Sequence, residues 1–216
     1  SVVDPENMVE ITKIKTGIMP HGSRISIDGT THYSVAMMSG ELFEIDALDL
    51  SVKRILSLDN NSNYRNAMHH SKVKPTWVTP HPNGKKLYIA GNGSDEIFVV
   101  DLESFSVEDK LSSGKGPYNL AISPDGKILL ATLKSEGAVS IWSLKNNKLL
   151  KKIKNTTSIP HGVVISPDNK YAFVSVEGVG GDPGKVDVIN LETLSLQGSI
   201  NVGKQAGGIA FWKIEQ

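Results

Sequence analysis

Two tripeptides in this chain match, Pro20-His21-Gly22 and Pro160-His161-Gly162, and two further imidazoles lie between them at His69-His70. Imidazole nitrogens are common ligands for transition metals and serve as axial ligands to haem. A transition-metal or haem-like site would draw on His21, His69, His70 and His161. A second chemistry-bearing stretch runs from Glu177 to Lys185, where Glu177, Asp182 and Lys185 are spaced by four glycines. Backbone amides in such a loop can cradle an anion, and its carboxylates a cation. Each reading has a plainer counterpart. A histidine at a strand start also satisfies loop carbonyls or water, and a glycine-rich loop is often merely flexible. There is no Gly-x-Ser-x-Gly elbow, phosphate-binding P-loop, dinucleotide fingerprint or His-Glu-x-x-His motif. The sequence therefore assigns no catalytic residue and requires no cofactor.

The elements that position these residues are repeated. Pro20, Pro75, Pro117 and Pro160 each open a short strand, and Ala206 holds the matching place in a fifth copy, at intervals of 55, 42, 43 and 46 residues. A turn follows each strand: Ser26-Ile27-Asp28-Gly29, Pro80-His81-Pro82-Asn83-Gly84, Ser123-Pro124-Asp125-Gly126 and Ser166-Pro167-Asp168-Asn169. The recurring acids Asp28, Asp125 and Asp168 belong to turn chemistry rather than to a carboxylate site. Two more apolar runs and a polar one complete each copy; in the third these are residues 127–132, 138–142 and 148–153. A period in the low forties made of short strands predicts an all-β protein, a β-propeller with one four-stranded antiparallel blade per repeat. Within each blade, strands A and B are apolar and strand D polar, as expected if D faces solvent. Trp77, Trp142 and Trp212 are expected to pack between blades. The lysines on strand D at 148–154 are expected to solvate an exposed edge.

The copies keep register to both ends. Val2-Val3-Asp4 matches Val99-Val100-Asp101, and residues 207–212 read as a lone strand A. One propeller domain over 1–216 is expected, with blades near 1–15 (partial), 16–58, 74–114, 115–156, 157–203 and 204–216 (strand A alone). That is about four and a half blades, the C-terminal part of a seven-bladed ring whose N-terminal blades would be this chain's own missing partner.

In such a blade the B–C and D–A connections share one end. Both long loops, residues 60–74 and 177–185, fall there, and loops elaborated on one face of a rigid scaffold commonly bind. The second residue of each strand A, His21, Thr76, Tyr118 and His161, should sit at the mouth of the channel. Three blades apart, His21 and His161 are expected nearly opposite one another, too far apart to share a metal. His32 and His81 belong to the other end and are expected to be exposed.

Lys and Arg number 23 and Asp and Glu 23, so no global charge draws the chain to nucleic acid, and no exposed aromatics interleave with basic residues. No apolar run reaches membrane-spanning length. There is no cysteine, which fits cytosol and periplasm alike.

Residues 88–101, Tyr88-Ile89-Ala90-Gly91-Asn92 through Val99-Val100-Asp101, resemble the YVTN repeat, as do Val186-Asp187-Val188-Ile189-Asn190 and the Ser-Pro-Asp-Gly turn. Val139-Ser140-Ile141-Trp142 is similar to a WD40 strand, but no Gly-His precedes a blade and Ser143 follows Trp142 where WD40 has Asp. The YVTN resemblance implies a seven-bladed propeller working in the periplasm or outside the cell. Three functions are carried forward. The first is a non-catalytic scaffold binding a protein or small ligand on the D–A/B–C face through His21, Thr76, Tyr118, His161, Glu177, Asp182 and Lys185. The second is a redox-associated metal or cofactor site on the histidines. The third is a lactonase-like, metal-dependent hydrolase.

Overall fold

The computed structural model describes residues 1–59 and 70–213. Four four-stranded antiparallel sheets follow one another along the chain, each in sequential strand order. The first holds β3 (Pro20–Ile25), β4 (Thr31–Ala36), β5 (Glu41–Asp46) and β6 (Val52–Ser57). The second holds β7 (Pro75–Pro80), β8 (Lys86–Gly91), β9 (Glu96–Asp101) and β10 (Ser106–Ser112). The third is β11 (Pro117–Ile122), β12 (Ile128–Leu133), β13 (Ala138–Ser143) and β14 (Lys148–Lys154), and the fourth β15 (Pro160–Ile165), β16 (Tyr171–Val176), β17 (Lys185–Asn190) and β18 (Ser195–Asn201). A hairpin of β1 (Val2–Asp4) and β2 (Val9–Thr12) precedes them. Among the described residues there is no helix.

Strand periodicity explains how the sheets stack. Successive side chains leave a strand on opposite faces, so a strand between two neighbours must be apolar on both. On β8, Leu87 and Ile89 join Tyr33, Val35 and Leu42 of the first blade, while Tyr88 and Ala90 join Leu120, Leu129 and Ala131 of the third. On β12, Leu130 turns the other way and packs with Val163, Ala172 and Val174 of the fourth. The core is thus a series of inter-blade layers, and Trp142 lies buried in one of them. Trp212 does not: it is 88% exposed, and residues 202–213 form no strand, since among the described residues no B strand exchanges ladder hydrogen bonds with them.

One corner recurs in every blade. Met19, Lys74, Gly116 and Ile159, each just before the opening proline, take positive φ, and Gln205 does so before Ala206. The carbonyls of those four accept the N–H of the first residue beyond strand B: Met37, Asn92, Lys134 and Glu177. Register then slips in all four A–B ladders just after the proline. This bulge frees the carbonyl of the second strand A residue from its own sheet. A neighbouring blade takes it up. His21 Nδ1 reaches Thr76 O (2.7 Å), Thr76 Oγ1 reaches Tyr118 O (2.8 Å), Thr132 Oγ1 reaches His161 O (2.9 Å) and Ser175 Oγ donates to Gly207 O. Different side chains thus perform the same inter-blade bond at four junctions. Each closes a buried acceptor that would otherwise be costly.

Candidate functional site

The corner fixes what stands at the mouth. The second residue of strand A and the first beyond strand B face the D–A/B–C end in each blade, so the first, third and fourth blades bring His21, Tyr118 and His161 together, with Lys134 and Glu177 beside Tyr118 and His161. His21 is oriented first. Thr76 O can only accept, so Nδ1 of His21 carries the proton and Nε2 is left to accept from the Tyr118 hydroxyl at 3.1 Å. The Tyr118 ring stands edge-on to His21 with centroids 5.4 Å apart, and its other side meets His161 at 4.6 Å. The Lys134 ammonium lies 4.3 Å from the centre of the same ring. It also bonds Glu177 Oε1 at 3.2 Å, and that oxygen lies 3.6 Å from His161 Nε2, an electrostatic contact longer than a hydrogen bond.

Tyr118 links the two histidines. Although they are three blades apart, the phenol is long enough to touch both imidazoles, so His21 and His161 flank one ring. Thr76 is fully buried and serves the inter-blade bond, so it is not open to a ligand. Asp182 and Lys185 lie further along the fourth blade's loop and the start of β17. Among the described residues neither forms a hydrogen bond or ion pair with the cluster. His70 is exposed beside Ser71, whose N–H bonds Met38 O at the B–C turn of the first blade; His69 lies outside the described residues. Among the described residues no three His, Asp or Glu side chains are grouped to hold a metal ion. His81 is half-buried rather than exposed, because its Nε2 hydrogen-bonds Gly126 O of the third blade at 3.0 Å.

Lys134 escaped the sequence reading. Its signal was positional: it occupies the place in the third blade that Glu177 occupies in the fourth, so an oppositely charged pair at adjacent corners was there to be noticed.

Burial pushes the His161 imidazole below the usual histidine range, the Lys134 ammonium pushes it the same way, and Glu177 opposes them. Burial raises the Tyr118 phenol, with Glu177 adding to the effect. His161 is therefore neutral and Tyr118 a protonated donor at pH 7. The sign for stability follows. A folded-state histidine pKa below the unfolded value of about 6.5 means the unfolded chain binds more protons as pH falls through that value. Stability should then decline on acidification from pH 7.5 to 5.5, and the His161 ring should titrate below free histidine by NMR. A His161 midpoint at or above the free value would contradict this electrostatic picture.

The fold defines a β-propeller, and the comparisons give its family. The sequence model of the family described as "Lactonase, 7-bladed beta-propeller" matches residues 24–167. The chain belongs to that seven-bladed lactonase-type family. Antigen Lp49 of Leptospira interrogans is 27% identical over 198 residues, covering 81% of this chain and 40% of the antigen. Among solved structures, hydrazine synthase of Kuenenia stuttgartiensis superposes with a TM-score of 0.76 at 22% identity, over 90% of this chain and 53% of that one. A putative 6-phosphogluconolactonase from Bacteroides uniformis gives 0.73 at 16% identity, over 94% and 65%. At these identities the likeness is one of fold. The chain spans between two-fifths and two-thirds of the length of these relatives.

Proposed function

We propose that the mouth formed by His21, Tyr118, Lys134 and His161 binds a small, oxygen-rich molecule, and that the propeller presents this site as a scaffold without turning the ligand over. One observation carries the reading: polar side chains from the first, third and fourth blades converge on the Tyr118 ring at the end where the long loops lie. Lys134 supplies a donor, the Tyr118 oxygen (its proton given to His21) an acceptor, and His161 a neutral nitrogen that accepts or donates. The YVTN-like segments favour, within this reading, a protein that works outside the cytoplasm.

A second reading, opening of a lactone ring, is favoured by the family match and by the lactonase-like structural relative. Fold alone does not carry activity from one member to another. One titration separates the two. δ-Gluconolactone is added while the histidine ring resonances and the acid released are followed together. Shifts of His21 and His161 without acid release above the spontaneous rate are expected, and Tyr118→Phe should weaken binding about two- to tenfold, the worth of one hydrogen bond. Acid release abolished in Tyr118→Phe would replace the scaffold reading by the catalytic one. Unperturbed histidine resonances would dismiss both.

A further inference from the structure

We infer that the Glu177 carboxylate is an internal stand-in for the ligand's own oxyanion, so that the mouth is built for a small carboxylate or phosphate and is plugged when empty. The inference rests on the binding reading above and gives the ligand its chemical class.

Its first support is position. A single oxygen, Glu177 Oε1, lies 3.2 Å from the Lys134 ammonium and 3.6 Å from His161 Nε2, against a wall made by the Tyr118 ring. An oxygen of an incoming carboxylate or phosphate would sit where this one does. Lys134 has no other anionic partner among the described residues, so an arriving oxyanion must compete with Glu177 for it.

The second support is that the side chain is held only by partly solvated contacts while the corner beneath it is fixed. The Glu177 and Gly178 N–H groups are held by Ile159 O and Ser158 O, both at 3.0 Å, so the backbone stays in place. The carboxylate itself is held by two contacts that remain partly open to water, with Lys134 30% and Glu177 22% exposed at the side chain. Such ion pairs are weak. Immediately beyond, Gly178 and Gly180 adopt positive φ, and a Cβ on Gly180 or Gly181 would meet nothing within 4 Å. The loop is open at Gly180 and Gly181, whereas at Gly178 it packs on itself against Asp182 and Pro183. The equivalent residue in the second blade, Asn92, instead donates its side-chain amide to Pro117 O at 3.3 Å and is committed to the scaffold.

A tethered competitor lowers apparent affinity by the fraction of time it occupies the site. An ion pair of this exposure favours the closed state by a factor of up to about five, and like-charge repulsion between Glu177 and the ligand adds to that. Glu177→Gln should therefore bind oxyanions more tightly by about threefold or more, although it removes a polar group from the site.

The experiment titrates gluconate and inorganic phosphate separately into wild type, Glu177→Gln and Lys134→Met, reading dissociation constants from the His21 and His161 ring resonances. Circular dichroism checks that each variant is folded. Tightening of threefold or more in Glu177→Gln for at least one probe, with binding lost in Lys134→Met, is the expected result. The probe that gains more tells whether the site prefers carboxylate or phosphate. Smaller tightening or weaker binding in Glu177→Gln overturns the plug. If binding is then still lost in Lys134→Met, the mouth stands as a site; if Lys134→Met changes nothing, the binding reading fails as well.

Discussion

Asp187→Ala should destabilise the protein by about 3–5 kcal/mol, because several buried donors lose their shared acceptor and each one left unsatisfied costs about 1–3 kcal/mol. Asp187 sits in the middle of β17 with no solvent exposure. Its Oδ2 accepts from Asn155 Nδ2 (3.0 Å) and the Thr156 N–H (2.9 Å), and its Oδ1 from Thr156 Oγ1 (2.5 Å) and Ser199 Oγ (2.7 Å). Among the described residues no cation faces it, so hydrogen bonds alone replace the water it has lost. Alanine strands four donors, three of them on the connection between the third and fourth blades. That connection leads directly into Pro160-His161, so the change should also loosen the mouth. Asp187→Asn keeps the shape but presents its own N–H₂ to some of those donors, and should cost about half as much. Urea denaturation with an unchanged slope would report these values. An alanine variant within 1 kcal/mol of wild type would show that the network is dispensable.

The strand framework was legible because it obeys local rules. All four sheets begin at the four prolines picked out by spacing, and the turn acids do what turn acids do: Asp28, Asp125 and Asp168 each accept from the serine two residues earlier. The network around Asp187 was not legible, since its partners lie 12, 31 and 32 residues away and no local pattern announces them. The site was half legible. His21, Tyr118 and His161 were placed at the mouth by their shared position in the repeat. Their meeting on the Tyr118 ring was not legible, because counting blades gives the spacing of backbones and ignores the reach of a phenol. Lys134 went unseen for a related reason: charge was sought within one loop, whereas the pair forms between corresponding positions of two blades. Residues 207–212 carry the apolar alternation of a strand, but alternation describes a strand's faces and says nothing about whether a ladder partner is beside it.

Gly22→Ala should be nearly as damaging as loss of Asp187, and it links blade packing to the site. A Cβ on Gly22 would lie 2.5 Å from Thr76 O and 2.7 Å from Trp77 Cα, both backbone atoms of the next blade. Those atoms cannot rotate aside, so the first two blades must separate, at a cost of about 3 kcal/mol. The gain from a stiffer unfolded chain, at most about 1 kcal/mol, does not offset it. Separation would also break the bond from His21 Nδ1 to Thr76 O, which sets the tautomer that lets His21 accept from Tyr118. This explains glycine after histidine at the first blade: the close approach that excludes a methyl group is the one that brings the imidazole to its acceptor. A graded series tests the point. Gly162→Ala meets Ile209 Cγ2 and Ser175 Oγ at 3.0 Å and Gly207 O at 3.1 Å, contacts about half an ångström looser than the 2.5 Å approach at Gly22, and should cost less. Gly198→Ala meets nothing within 4 Å and should stay within about 1 kcal/mol of wild type. Denaturation midpoints should fall in that order, and the His21 ring resonance should move in Gly22→Ala alone. If Gly22→Ala matches Gly198→Ala in stability and leaves the His21 resonance in place, blade contact does not set the geometry of the mouth.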